Sequence, residues 1–157
     1  YLNELDTNLS ILDSSIRTGN SMADAILNSK VSLAKAREID VRVDARIPVK
    51  LKISEIDLCC ILGNLFDNAI DASMALPPQN RLIRVYMDMK GSRLYISFTN
   101  FTSQKKLGKL GRVFATKGLG HGLGLSRIEN IVEKHDGYLS FNSEDGAFTA
   151  EILLPQE

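Results

Sequence analysis

A chain of 157 residues, 44% hydrophobic and 24% charged, has the size and composition of one globular domain with a real core. Lys and Arg together number 19, as do Asp and Glu, so no basic field advertises nucleic acid or an anionic membrane as a partner. No apolar run approaches the ~18–20 residues of a membrane span, and no signal peptide is visible.

Elements follow in chain order. Leu5, Leu9, Leu12 and Ile16 stand near helical spacing and predict a helix over residues 3–16, ended by Thr18-Gly19-Asn20. Because the chain begins at Tyr1 inside this helical pattern, it reads as a fragment of something longer. A second helix is predicted from Ser21 to Arg37, with Ala25, Ile26, Ser29, Leu33 and Ala36 as its inner face. Alternation at Ile39, Val41 and Val43, and again at Val49, Leu51 and Ile53, predicts two short strands separated by Pro48. Ser54-Glu-Ile-Asp57 resembles a capping box with Asp in place of the usual Glu. The helix it opens runs to about Ala75 and stops before Pro77-Pro78. It carries Cys59 and Cys60, which read as reduced core residues of a cytosolic protein.

Arg81–Met89 and Arg93–Thr99 alternate strongly about Lys90-Gly91-Ser92 and predict a hairpin. Residues 101–121 are rich in Lys and Gly, lack periodicity and predict one long loop, which in a compact domain is functional or mobile. A helix from Gly122 to about His135 closes on Asp136-Gly137, with Gly137 placed for a left-handed C-cap. Two last strands, Tyr138–Asn142 and Ala147–Leu153, turn at Glu144-Asp145-Gly146.

Two motifs carry chemistry. On the helix from Ser54 the apolar face is interrupted by Asn64, Asp67, Asn68 and Asp71, and offsets of four and three put Asn64, Asn68 and Asp71 on one stripe. That stripe reads either as the solvated side of an amphipathic helix or as oxygen donors for a hard cation beside phosphates. Two Asn residues carry a helix-propensity cost that Glu, Lys or Gln would avoid. The second motif is a glycine ladder, Gly118, Gly120, Gly122 and Gly124, running without a break into a helix. A flexible linker looks similar, but free N–H groups at a helix N-terminus also make a cradle for phosphate oxygens. Together the motifs argue for a nucleotide site.

Leu62-Gly-Asn-Leu-Phe-Asp-Asn-Ala-Ile-Asp-Ala72 resembles the N box of the GHKL superfamily (gyrase, Hsp90, histidine kinase and MutL type). Gly118–Ser126 resembles its second glycine box, and Phe114-Ala-Thr-Lys117 the basic segment before it. Within that superfamily the chain looks most like sensor histidine kinases of the peptide-pheromone-receptor and citrate-sensor type, over roughly residues 20–155.

The resemblance implies an α/β fold, a two-layer sandwich of a mixed sheet packed against helices (the Bergerat-type ATP-binding fold). It divides the chain into a helical tail of an upstream dimerisation segment, residues 1–18, and a catalytic domain, residues 19–157. It implies ATP and Mg²⁺ as cofactors. Asn68 would hold the metal, Asn64 would sit beside the phosphates, and Asp71 would share their stripe at the cofactor. Lys117 would approach from a lid spanning Phe101 to His121. Gly118, Gly120, His121 and the backbone N–H groups of Gly122, Leu123 and Gly124 would surround the phosphate oxygens.

The adenine box of the family, Asp-x-Gly-x-Gly, reads Asn100-Phe101-Thr102 here, so Asn100 would accept from the adenine amino group without charge assistance. Members that hydrolyse ATP carry a Glu where this chain has Asn64. An amide takes no proton from water, which favours transfer to a protein histidine.

The implied partners are the dimerisation and histidine-phosphotransfer domain of the same protein, a response regulator indirectly, and a second copy in the full-length parent. The domain is expected in the cytoplasm with its parent anchored in the membrane. The readings held against this one are a catalytically silent GHKL interaction module and a GHKL serine kinase of the anti-sigma type. His121 reads as a loop residue near phosphate, and His135 as a charge partner at a helix C-terminus.

Overall fold

The structure, a computed structural model, describes residues 16–103, 108–111 and 122–156. The predicted helix over residues 3–16 lies almost wholly outside that range. Three helices and six strands follow in the order α1 (Ser21–Ala36), β1 (Asp40–Ala45), α2 (Glu55–Ser73), β2 (Leu82–Lys90), β3 (Arg93–Phe101), β4 (Gly108–Gly111), α3 (Gly122–Lys134), β5 (Tyr138–Glu144) and β6 (Ala147–Pro155).

The strands form one mixed sheet in the order β1-β2-β3-β6-β5-β4. Only β1 and β2 run parallel; the other pairs are antiparallel. Period-two alternation decides which face the helices cover. Ile83, Val85 and Met87 of β2, Leu94, Ile96 and Phe98 of β3, and Ala150, Ile152 and Leu154 of β6 are buried on that face. Leu58, Ile61, Leu62, Leu65, Phe66, Ala69 and Ile70 of α2 meet them, with the Phe66 ring edge-on to Phe98 at 5.2 Å. The opposite face has no helix over it among the described residues. It carries polar cross-strand pairs such as Thr99–Thr149 at 2.9 Å and Tyr95–Glu151. The expected two-layer α/β sandwich is the observed architecture.

Several expectations are corrected. The buried stripe of α1 is Ala23, Leu27 and Ala34, whereas Ala25, Ser29, Leu33 and Ala36 are exposed. The helix offers two apolar stripes, and polar ties choose between them. Asn28 bonds the Ile16 backbone in both directions (2.8 and 3.0 Å), and Lys30 pairs with Asp67 of α2 at 2.7 Å. Residues 49–53 are not a strand. The Gln156 side-chain oxygen accepts from the Lys52 and Ile53 N–H groups at 2.7 and 3.4 Å, and the Asn20 amide donates to Pro48 and Val49. Inside the predicted long loop, Gly108–Gly111 is a strand that pairs with β5. Its Gly-Lys-Leu-Gly sequence is four residues long, begins and ends in glycine, and offers no alternation for a reader to detect.

Local chemistry sets the element ends. Ser54 caps α2 by accepting from the Asp57 N–H at 3.1 Å. The reciprocal half of the capping box is missing because the Asp57 carboxylate is engaged elsewhere. After α3, Asp136 takes the left-handed conformation (φ 55°) and Gly137 does not. Gly137 is needed for space: a Cβ there would stand 2.6 Å from the Leu153 carbonyl oxygen. Cys59 and Cys60 are free and half-buried on α2, short of the core position expected for them. Burial, then Glu55, pushes the Cys59 thiol up, away from reactive thiolate.

Candidate nucleotide-binding site

The site exists because α2 outruns α3. At about 1.5 Å per residue, the 19 residues of α2 reach about 28 Å and the 13 of α3 about 20 Å. The two are pinned together along the first half of α2. Asp57, in its first turn, accepts from Lys134 Nζ and meets His135 Nε2 at the end of α3, both at 3.0 Å. Those two partners hold the Asp57 carboxyl below the usual carboxylate range, with His135 the larger cause. Seven residues further along, Asn64 faces the start of α3: a Cβ on Gly124 would fall 2.8 Å from its Oδ1. The Asn64 NH₂ is turned back to donate to the Cys60 carbonyl at 2.7 Å.

Past that contact no further turn of α3 is described, and the last turns of α2 border a gap among the described residues. A cavity of about 230 Å³ occupies the gap. Its walls are apolar: Leu65 and Ala69 of α2, Phe98 of β3, Leu125 of α3, and Phe141 and Phe148, whose rings stack at 5.6 Å. Polar groups enter at few places, namely Asn68 and Asp71 from α2 and Asn100, Thr102 and Ser103 at the end of β3. A mostly apolar slot with a few placed polar groups suits a planar heteroaromatic ligand.

The amides are oriented. Asn100 is 4% exposed, and its NH₂ donates one hydrogen bond to the Phe101 carbonyl at 3.1 Å. The Asn68 NH₂ is buried with no partner among the described residues, whereas its oxygen is not among the buried unpartnered atoms. Burying an amide donor unpaired costs free energy.

Of the residues singled out in the sequence, Asn68, Asp71 and Asn100 line one cavity, and Leu125, next to Gly124, lines it too. Asn64 stands outside the lining. Gly122, Leu123 and Gly124 open α3. Lys117, Gly118, Gly120 and His121 lie outside the described residues. Thr102, Ser103, Phe141 and Phe148 were not singled out. Asn100 also had a signal independent of the resemblance: in the alternating run Leu94, Ile96, Phe98, position 100 is the next inward register and holds an amide.

Residues 53–155 match the family model described as the GHKL domain. This chain belongs to the GHKL ATP-binding domain family. Among curated GHKL relatives, it is 29% identical over 147 residues to a probable C4-dicarboxylate sensor kinase of Halalkalibacterium halodurans, covering 88% of this chain and 28% of that protein. It is 32% identical over 128 residues to the sensor histidine kinase ZraS of Escherichia coli, covering 78% and 27%. The chain therefore spans little more than a quarter of the length of these relatives. Among solved structures, the nucleotide-free catalytic domain of the histidine kinase ThkA superposes with a TM-score of 0.67 at 18% identity, covering 89% of this chain and 93% of that one. The mycobacterial sensor histidine kinase MprB gives 0.60 at 19%, covering 83% and 93%. At those identities the structural likeness shows the fold alone.

Proposed function

We propose that this chain is the ATP-binding catalytic domain of a sensor histidine kinase, passing the γ-phosphate of ATP to a histidine on an upstream dimerisation domain in a two-component system. The observation that carries this reading is a single cavity bordered both by Asn68 of α2 and by Leu125, next to the last glycine of the ladder. The base would lie between Phe98, Leu125 and the Phe141–Phe148 pair, leaving the phosphates to run toward Asn68 and the start of α3. Backbone N–H groups there add the positive end of a helix dipole. Gly118, Gly120, His121 and Lys117 belong to the same phosphate cradle in this reading, with Asp71 on the α2 side.

Asn68 fits a metal-binding role. Its NH₂ is buried, and a neutral oxygen on a residue lining the cavity suits a hard cation that takes its remaining ligands from phosphate and water. No group of three or more His, Cys, Asp or Glu side chains among the described residues could hold a metal alone. Bound Mg²⁺ would neutralise charge on the triphosphate. Asn64 supplies no base: an amide accepts no proton at neutral pH, and its NH₂ is spent on Cys60. The chain would thus position and polarise the phosphoryl group without activating water, and hand it to an acceptor brought by another domain.

Residues 1–18 are assigned here to the tail of that dimerisation segment and residues 19–157 to the catalytic domain. The dimerisation domain, the second copy and the response regulator would belong to a membrane-anchored parent. No helix among the described residues is long and apolar enough to cross a membrane.

Titration with a fluorescent ATP analogue, with and without EDTA, tests the reading. Magnesium-dependent binding is expected, without self-labelling by γ-phosphate. Asn68→Ala should abolish the magnesium-dependent part. It should leave apo stability unchanged or raise it by about 1 kcal/mol, since it deletes an unpaired buried donor. Absence of magnesium-dependent binding at millimolar analogue, or a large loss of apo stability in Asn68→Ala, would overturn it.

A further inference from the structure

We propose that Asn100, an amide lining this cavity, meets the polar edge of the bound base and that, because it can present either an acceptor or a donor, the site takes guanine-type as well as adenine-type nucleotides. The inference rests on the nucleotide reading of the same cavity and deepens it.

The deep part of the slot is walled by Ala69, Phe98, Leu125, Phe141 and Phe148, which stack on any purine without distinguishing one from another. Discrimination must come from polar groups, and Asn100 is the amide fixed among those walls, 4% exposed at the end of β3. As it stands, one N–H of its amide is held by the Phe101 carbonyl at 3.1 Å, and in the nucleotide reading its oxygen accepts from the 6-amino group of adenine. Guanine and hypoxanthine carry a carbonyl oxygen at that position, which needs a donor.

A carboxylate at position 100 could only accept, and would meet the carbonyl with a buried negative charge. That kind of mismatch gives the strongest rejection available to a binding site. An amide rotated by half a turn about Cβ–Cγ exchanges oxygen for NH₂. The rotation gives up one neutral hydrogen bond, to Phe101. Loss of one neutral bond corresponds to a preference for adenine of about 2- to 10-fold.

The test is a competition on the whole chain: ATP, ITP and GTP displacing a fluorescent ATP analogue in magnesium at neutral pH. ITP presents the 6-carbonyl without the 2-amino group, so it isolates the contribution of Asn100. ITP is expected to bind within about tenfold of ATP. Asn100→Asp should widen the ATP-to-ITP ratio to about a hundredfold or more, through loss of ITP affinity. Asn100→Ala should weaken both and bring their ratio close to one, so the inference stands or falls even if the buried carboxylate impairs folding. Tight ATP binding with ITP rejected more than a hundredfold by the unaltered chain would overturn the inference and leave the nucleotide site intact. An unchanged ratio in both variants would do the same. Failure of all three nucleotides to compete would defeat the site itself.

Discussion

The contact between Asn64 and Gly124 locates the start of α3 against α2, and it can be tested without any ligand. Replacing Gly124 by Ala adds a Cβ 2.8 Å from Asn64 Oδ1, 3.5 Å from its Cγ and 3.8 Å from its Cβ. An oxygen at the end of a side chain can usually step aside, but this one is tethered through its own amide to Cys60 at 2.7 Å. Relief therefore requires giving up that hydrogen bond, about 1 kcal/mol, or shifting the helix, about 1–3 kcal/mol by comparison with overpacked cores. Against this, Ala gains up to about 1 kcal/mol over Gly in a helix, less in the first turn.

The expected net effect of Gly124→Ala is a loss of about 1 kcal/mol, a melting shift of about 3 °C. In an Asn64→Ala background the obstacle is gone and the same change should stabilise by about 0.5 kcal/mol. The coupling between the sites is then about 1.5 kcal/mol. Urea unfolding of the four proteins in nucleotide-free buffer measures it. Equal effects of Gly124→Ala in the two backgrounds, within about 0.5 kcal/mol, would refute the placement of Asn64 against the helix start.

Two further outcomes follow from the same framework. Gly137→Ala should cost about 3 kcal/mol, because its Cβ would meet the backbone oxygen of Leu153 at 2.6 Å in a strand that cannot yield; a loss below about 1 kcal/mol in urea unfolding would contradict the close approach. Asp57 has its folded pKa depressed, so its contribution is present above the unfolded value near 3.8 and is lost as pH falls below that value through the folded one. Asp57→Asn should flatten that acid limb of the stability–pH curve, and an unaltered acid limb would show that Asp57 is not linked to it.

Legibility of the sequence tracked the physical source of each feature. Helices and strands whose side chains must face a core announced themselves by period, as in α2, β2, β3 and β6. Features held by backbone or by single polar ties did not. β4 carries no alternation, residues 49–53 alternate yet bond to Gln156, and the face of α1 is chosen by Asn28 and Lys30. At the site, the helical offset of Asn68 and Asp71 survived folding into one cavity. Asn64, three-dimensionally a turn away from the opening, became a contact between helices. Phe141 and Phe148 pass in sequence as ordinary strand hydrophobics, since nothing along the chain reveals which core positions border a void.

The sheet face that no described helix covers divides tolerance to substitution along each strand. Ser97, Thr99, Thr149 and Glu151 point away from the helices, so polar exchanges there reach neither the ligand slot nor the packed interior. Their immediate neighbours Phe98, Asn100 and Ala150 border both at once. Mutational scanning of β3 and β6 should therefore read as a comb, permissive and intolerant by turns, with teeth one residue wide.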